Sequence, residues 1–221
     1  MLKEISYLIQ KELVMEWRQR YAFNGILLYV GSTVFLAYLS FQTYNQELSP
    51  ATWNALFWII LLFASVNAVA KSFIQENQGR QLYYYTLAAP ESIILSKLIY
   101  NAGLMVLIAV LAFGIYSVVL GNPVESAGLF LLGVLLGGIA FSAALTLISG
   151  IASKTNNAST IMAILAFPVL VPILLMSIRT SWNAISGLAI SESSTPLWTL
   201  MAINLILIAV SYLLFPYLWR S

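Results

Sequence analysis

The sequence predicts an all-α integral membrane protein. It should have six transmembrane helices, an N-terminal amphipathic helix at the interface, and one large polar loop between the second and third spans. Hydrophobic residues make up 61% of the 221 positions and charged residues only 8%, against about 25% charged in soluble domains. Mean hydropathy is +0.89. Six windows of more than 20 residues contain no acidic or basic side chain: 21–46, 48–70, 98–124, 126–153, 155–178 and 193–219. A spanning helix needs about 20 mostly apolar residues, so each window holds one span. The spans are expected near 23–43, 52–70, 98–120, 127–149, 158–178 and 197–218, within a single domain covering 1–221.

The first twenty residues mix charges of both signs and lack the apolar core of a signal peptide. Leu2, Ile5, Ile9, Leu13 and Trp17 recur at steps of three and four, which predicts one apolar helical face. Such a helix lies in the headgroup region, with Trp17 and Tyr21 as interfacial anchors.

Six spans place both termini on one side, and charge chooses the side. With a cytoplasmic N-terminus, nine of the ten basic residues face the cytoplasm and only Arg179 faces outward, a strong positive-inside bias. The outer connections are then 42–51, 121–126 and the longer Ser/Thr/Asn-rich 179–196, where a short amphipathic or re-entrant helix is expected around Trp182–Ile190. The inner ones are a tight turn at Ser153–Asn157 and the loop Lys71–Lys97. In that loop the second span is expected to run on past Lys71 and end near Gly79. A turn at Ala89–Pro90 should follow, with Ser92 capping the third span.

Chemistry intrinsic to the chain is not expected. There is no Cys, His or Asp, so thiolate and imidazole metal ligands, the usual general bases and the strongest nucleophiles are absent. Gly150–Thr155 brushes against a phosphate-binding loop, but Ile148 and Ser153 stand where that pattern needs glycine. The spans carry no internal charge in this reading, so an ion pathway has no carrier. Asn24, Asn54, Asn67, Asn101, Thr146 and Asn204 are expected to hydrogen-bond between helices.

Three features remain. Gly133 and Gly137 form a GxxxG in the fourth span, serving either ordinary packing within the bundle or a dimer seam. Pro168 and Pro172 in the fifth span each remove a backbone donor, which predicts a bend or hinge. In the loop, Phe73, Glu76, Gly79 and Leu82 are spaced three apart. Phe73 and the Tyr83–Tyr85 triplet could offer an apolar surface to a partner, with Glu76 and Arg80 as its polar rim.

The pattern Asn67-x3-Lys71-Ser-Phe73-x2-Glu76-x2-Gly79-x2-Leu82, continued by Leu87-x2-Pro90 and Leu95-Ser-Lys97, resembles the cytoplasmic signature of ABC-2-type permeases. With the basic turn Ser153-Lys154-Thr155 and Phe167-Pro168-x3-Pro172, the chain is similar to the haem exporter protein B (CcmB) family of the cytochrome c maturation system. Asn77, Gln78, Arg80 and Gln81 depart from a loop that the family often makes richer in acids. The resemblance implies a non-catalytic permease subunit in the bacterial inner membrane. It implies that Phe73, Glu76, Gly79, Arg80, Leu82 and Pro90 form a coupling loop for a separate cytoplasmic ATPase. It further implies a homodimer of this chain, a haem-handling membrane subunit and a small helper. ATP and haem are then held by partners, this chain has no cofactor of its own, and no nucleic-acid partner is expected. Hydrolysis would drive haem delivery or release of a haem-loaded periplasmic chaperone. The alternative is an ABC-2-type exporter of a drug, lipid or polysaccharide.

Overall fold

A chain in hydrocarbon must satisfy its own backbone polar groups, and long apolar segments do so as helices. The computed structural model describes residues 1–19, 21–43, 48–69, 72–73, 88–155 and 157–220. Seven helices account for nearly all of them: α1 (Leu2–Gln19), α2 (Tyr21–Thr43), α3 (Pro50–Val69), α4 (Pro90–Leu120), α5 (Ala127–Ala152), α6 (Ala158–Ile185) and α7 (Ser194–Arg220). Six of them, α2 to α7, are long and apolar enough to cross a membrane. The bundle therefore has a loop end, where α1, residues 72–73 and 88–89 and the turn after α5 lie, and an opposite turn end.

The helix α5 is the axis of the bundle. It packs on α3, α4, α6 and α7 and is buried along most of its length. Its small residues make this possible. A Cβ added to Gly133 would stand 2.8 Å from Thr180 Cγ2, and one added to Gly137 would stand 2.5 Å from Ser177 Oγ and 2.7 Å from the Trp58 ring. Both glycines thus seat α5 against α6 and α3 within one chain. The dimer-seam reading of this motif is corrected, because its face is already filled.

At the turn end, bulky rings supply the packing. Trp53 and Phe57 of α3 meet Tyr116 and Phe113 of α4 and Phe130 of α5, with ring centroids 4.8–6.1 Å apart. Their polar edges are satisfied: Trp53 Nε1 donates to the Gly121 carbonyl at 2.9 Å, and the Tyr116 hydroxyl to the Trp53 carbonyl at 2.9 Å. Beside them Asn54 donates to the Ile178 carbonyl, and Ser181 Oγ takes the Trp58 indole proton while bonding Asn54 Oδ1 at 2.7 Å.

The expected interhelical amide bonds form at Asn54, at Asn101, and at Asn204, which donates to Leu136 O. Asn67 instead bonds within its own helix, to Phe63 O.

Several boundaries differ from expectation. The helix α6 runs through Arg179 and Trp182 to Ile185, and Gly187, with φ of +65°, ends it. No separate helix stands at 182–190. Pro168 and Pro172 lie inside α6 without interrupting it, both on its exposed side. The helix α4 starts eight residues before the charge-free window, because Pro90 is already suited to a first helical position. Ala89 is its N-cap, and Ser92, expected as the cap, lies in the first turn.

Candidate functional site

At the loop end the chain leaves α3 at Val69. Ser72 N–H bonds the Val69 carbonyl three residues back at 2.9 Å, closing a turn, and Phe73 N–H turns away to Ser149 Oγ on α5 at 3.1 Å. With its amide committed elsewhere, Phe73 cannot extend α3, so the expectation that the second span continues through it is corrected. The ring is also not the partner-facing surface expected of it. It is buried, 5.2 Å from the Phe215 ring of α7 and close to Gly150 of α5.

Three helices hold Ser72 and Phe73 directly, and a fourth braces them through Lys97. Lys97 of α4, only 3% exposed, donates to the Ser72 carbonyl at 2.7 Å, and its ammonium lies 4.8 Å from the Phe73 ring centroid. Asn101, one turn further along α4, donates to Ser72 Oγ at 3.0 Å and to Thr146 Oγ1 of α5 at 2.9 Å. Thr146 in turn donates to the Ser142 carbonyl at 2.7 Å. These bonds tie the root of the loop to α4 and α5, and the Phe215 contact adds α7.

The helix α1 braces this anchor at second hand, through Lys97. Glu12 Oε1 stands 3.2 Å from Lys97 Nζ and 3.0 Å from Lys11 Nζ. Burial raises the Glu12 carboxyl, but the two ammonium groups outweigh it and hold the group below its ordinary value. Further along α1, Glu4 accepts from Ser92 Oγ of α4 at 2.9 Å, and that bond lowers its carboxyl too. So α1 docks on α4 through its carboxylates and the buried Ile5, while Leu2, Leu13 and Trp17 of the apolar stripe stay exposed.

Lys97 is the principal surprise, since no span was expected to hold a buried charge. A charge two turns inside an apolar helix persists because an anion, a carbonyl and a ring face surround it. The arrangement has no chemistry to offer beyond holding position. Among the described residues no group of three His, Cys, Asp or Glu could hold a metal ion.

Of the residues expected in the coupling loop, Phe73 and Pro90 stand at its two ends. Glu76, Gly79, Arg80, Leu82 and Tyr83–Tyr85 lie outside the described residues. Sequence reasoning missed Ser72, Ser149, Phe215 and Glu12. Only Glu12 left a signal, as an acid on a helix otherwise bound for the headgroups.

No curated protein matches the chain by sequence. The family model described as CcmB protein matches it over residues 3–218. A match of that extent takes in every span and the loop between α3 and α4: the chain belongs to the CcmB family and is a non-catalytic, ABC-type permease subunit of cytochrome c maturation.

Proposed function

We propose that segment 74–87 docks a separate cytoplasmic ATP-binding subunit, and that the Ser72–Phe73 junction passes its displacement into the bundle. The observation that carries this is the anchoring of Ser72 and Phe73 by α4, α5 and α7, with α1 joined to it through the Glu12–Lys97 pair. A pull on the loop at this root acts on all four helices at once, whereas a loop tethered by exposed turns would absorb the movement. Glu76 and Arg80 supply polar contacts to the ATPase, with Gly79, Leu82 and Pro90 shaping the loop.

In this reading the loop end faces the cytoplasm of a bacterial inner membrane, as the nine-to-one distribution of basic residues supports. ATP hydrolysis on the partner then drives release of the haem-loaded periplasmic chaperone, with a haem-handling membrane subunit and its helper alongside. The absence of His and Cys supports a mechanical role over axial haem ligation. A second copy of this chain would pair through an outward face. The exposed α6 side bearing Pro168 and Pro172 supports that choice, because the two rings free the carbonyls of Ile164 and Pro168 from the helical ladder.

The experiment separates docking from transmission. Glu76→Ala should reduce co-purification of the ATPase. Phe73→Ala should leave the ATPase bound yet abolish cytochrome c maturation. Normal maturation and normal co-purification in both variants would overturn the proposal.

A further inference from the structure

At the turn end, residues 186–192 form an exposed tip between α6 and α7. Its backbone is closed on itself. Gly187, with φ of +65°, lets Leu188 N–H cross back to the Asn183 carbonyl at 3.0 Å. Glu192 and Ser193 N–H bond the Ala189 and Ile190 carbonyls at 3.0 and 3.1 Å. Asn183 Nδ2 then donates to Ser193 Oγ at 3.0 Å, which staples the last turn of α6 to the residue before α7. The tip also rests on the start of α5. Ser126 N–H donates to the Ala184 carbonyl at 2.9 Å, and the Glu125 carboxylate lies against Gly187, where an added Cβ would run into it. The α5 side of this seat is fixed, because Phe130, one turn further on, belongs to the ring cluster.

The helix α7 joins this tip to the loop root. It starts at Ser194, beside the staple, and carries Phe215, whose ring packs on Phe73. At the helical rise those two residues stand about 32 Å apart. We propose that α7 is a rod that carries the displacement of the loop root to the tip, and that the seat of the tip on Glu125 and Ser126 is a catch that opens when the rod moves. The displacement itself rests on the reading above. A helix is stiff along its axis, and the tip is too tightly bonded to absorb movement. The strain therefore falls on the seat, which is one hydrogen bond and one carboxylate contact. Helix shifts in switching proteins are about 1–2 Å. A shift of about 1 Å takes the 2.9 Å bond from Ser126 past the N–H···O limit of about 3.2 Å. Opening frees the last turn of α6 and moves the exposed Leu188 and Ile190 against the fixed rings. The outward surface then has two arrangements, chosen from the loop end.

The chain has no cysteine, so an introduced disulfide can lock the catch. A Cβ on Gly187 would stand 3.7 Å from Glu125 Cβ, close to the mean of about 3.8 Å in disulfides. Glu125→Cys/Gly187→Cys should form the bond, and Glu125→Cys/Gly187→Ser is the control with matching bulk. The crosslinked chain should keep its ATPase and lose cytochrome c maturation, and the control should keep both. In the purified complex in nanodiscs, ATP should slow oxidation of the reduced pair about tenfold. Asn183→Ala, which unhooks the rod from the tip, should remove that effect. Normal maturation by the crosslinked chain, or an oxidation rate indifferent to ATP, would overturn the proposal. So would a pair that does not crosslink, since the seat would then be open at rest. Docking of the ATPase is read by co-purification with Glu76→Ala, and so stands or falls separately from these outcomes.

Discussion

The two ends of the bundle are held by different physics. At the turn end, Trp53, Phe57, Phe113, Tyr116 and Phe130 interlock; hydrogen bonds finish their polar edges, and the bulk of the packing is dispersion spread over many ring contacts. At the loop end, a handful of directional bonds converge on two residues, Ser72 and Phe73. Losing one ring contact weakens the first gradually. Shifting one short segment breaks most of the second together. A permease driven from outside needs one rigid end and one that yields as a unit, and this division supplies both.

The contrast can be broken most severely at the rigid end. Trp53→Ala removes a fully buried indole and its bond to Gly121, and should cost about 3–5 kcal/mol. Thermal unfolding in detergent checks this, and a loss below about 1 kcal/mol would show that the rings are not the lock. At the loop end, Glu12→Gln leaves Lys97 buried without its anion. The expected cost is about 3 kcal/mol, toward the low end for a broken buried pair, because Glu12 keeps 17% exposure. The double variant Glu12→Gln/Lys97→Met should recover most of it. If the double is no better than the single, the pair is not the source of the loss.

Acidity sharpens the comparison with the smallest effect. The folded Glu12 carboxyl sits below its ordinary value, so its stabilisation is complete above the unfolded value and fades as pH falls through the folded one. Hydrogen exchange across α1 should hold steady down to about pH 5 and quicken below about pH 4. The Trp53 region should not respond, and Glu12→Gln should weaken the pH dependence of α1 around Glu12, leaving the part that Glu4 carries through Ser92.

Much of the architecture was legible because its signals are long. Charge-free windows above 20 residues give six spans whatever the packing, and the spacing of Phe73, Glu76, Gly79 and Pro90 carried the family. The same signal hid Lys97. Treating every cation as the edge of a span placed it in a loop, although its partner Glu12 lies 85 residues away. Gly133 and Gly137 announced a close approach without naming Thr180, Ser177 or Trp58 as what approaches. Phe73 shows the limit most sharply. Its position in the motif was readable, but whether its ring faces a partner or the bundle depends on Phe215 and Ser149, which no local pattern links to it.

The pairing of Glu12 with Lys97, and of Glu4 with Ser92, also has a consequence in time. The ribosome delivers α1 first, yet both of its polar anchors belong to the third helix to enter the bilayer. Until that helix is inserted, α1 can only rest on the membrane surface. Its final seating therefore comes late in biogenesis and marks a permease whose first three spans are already in place.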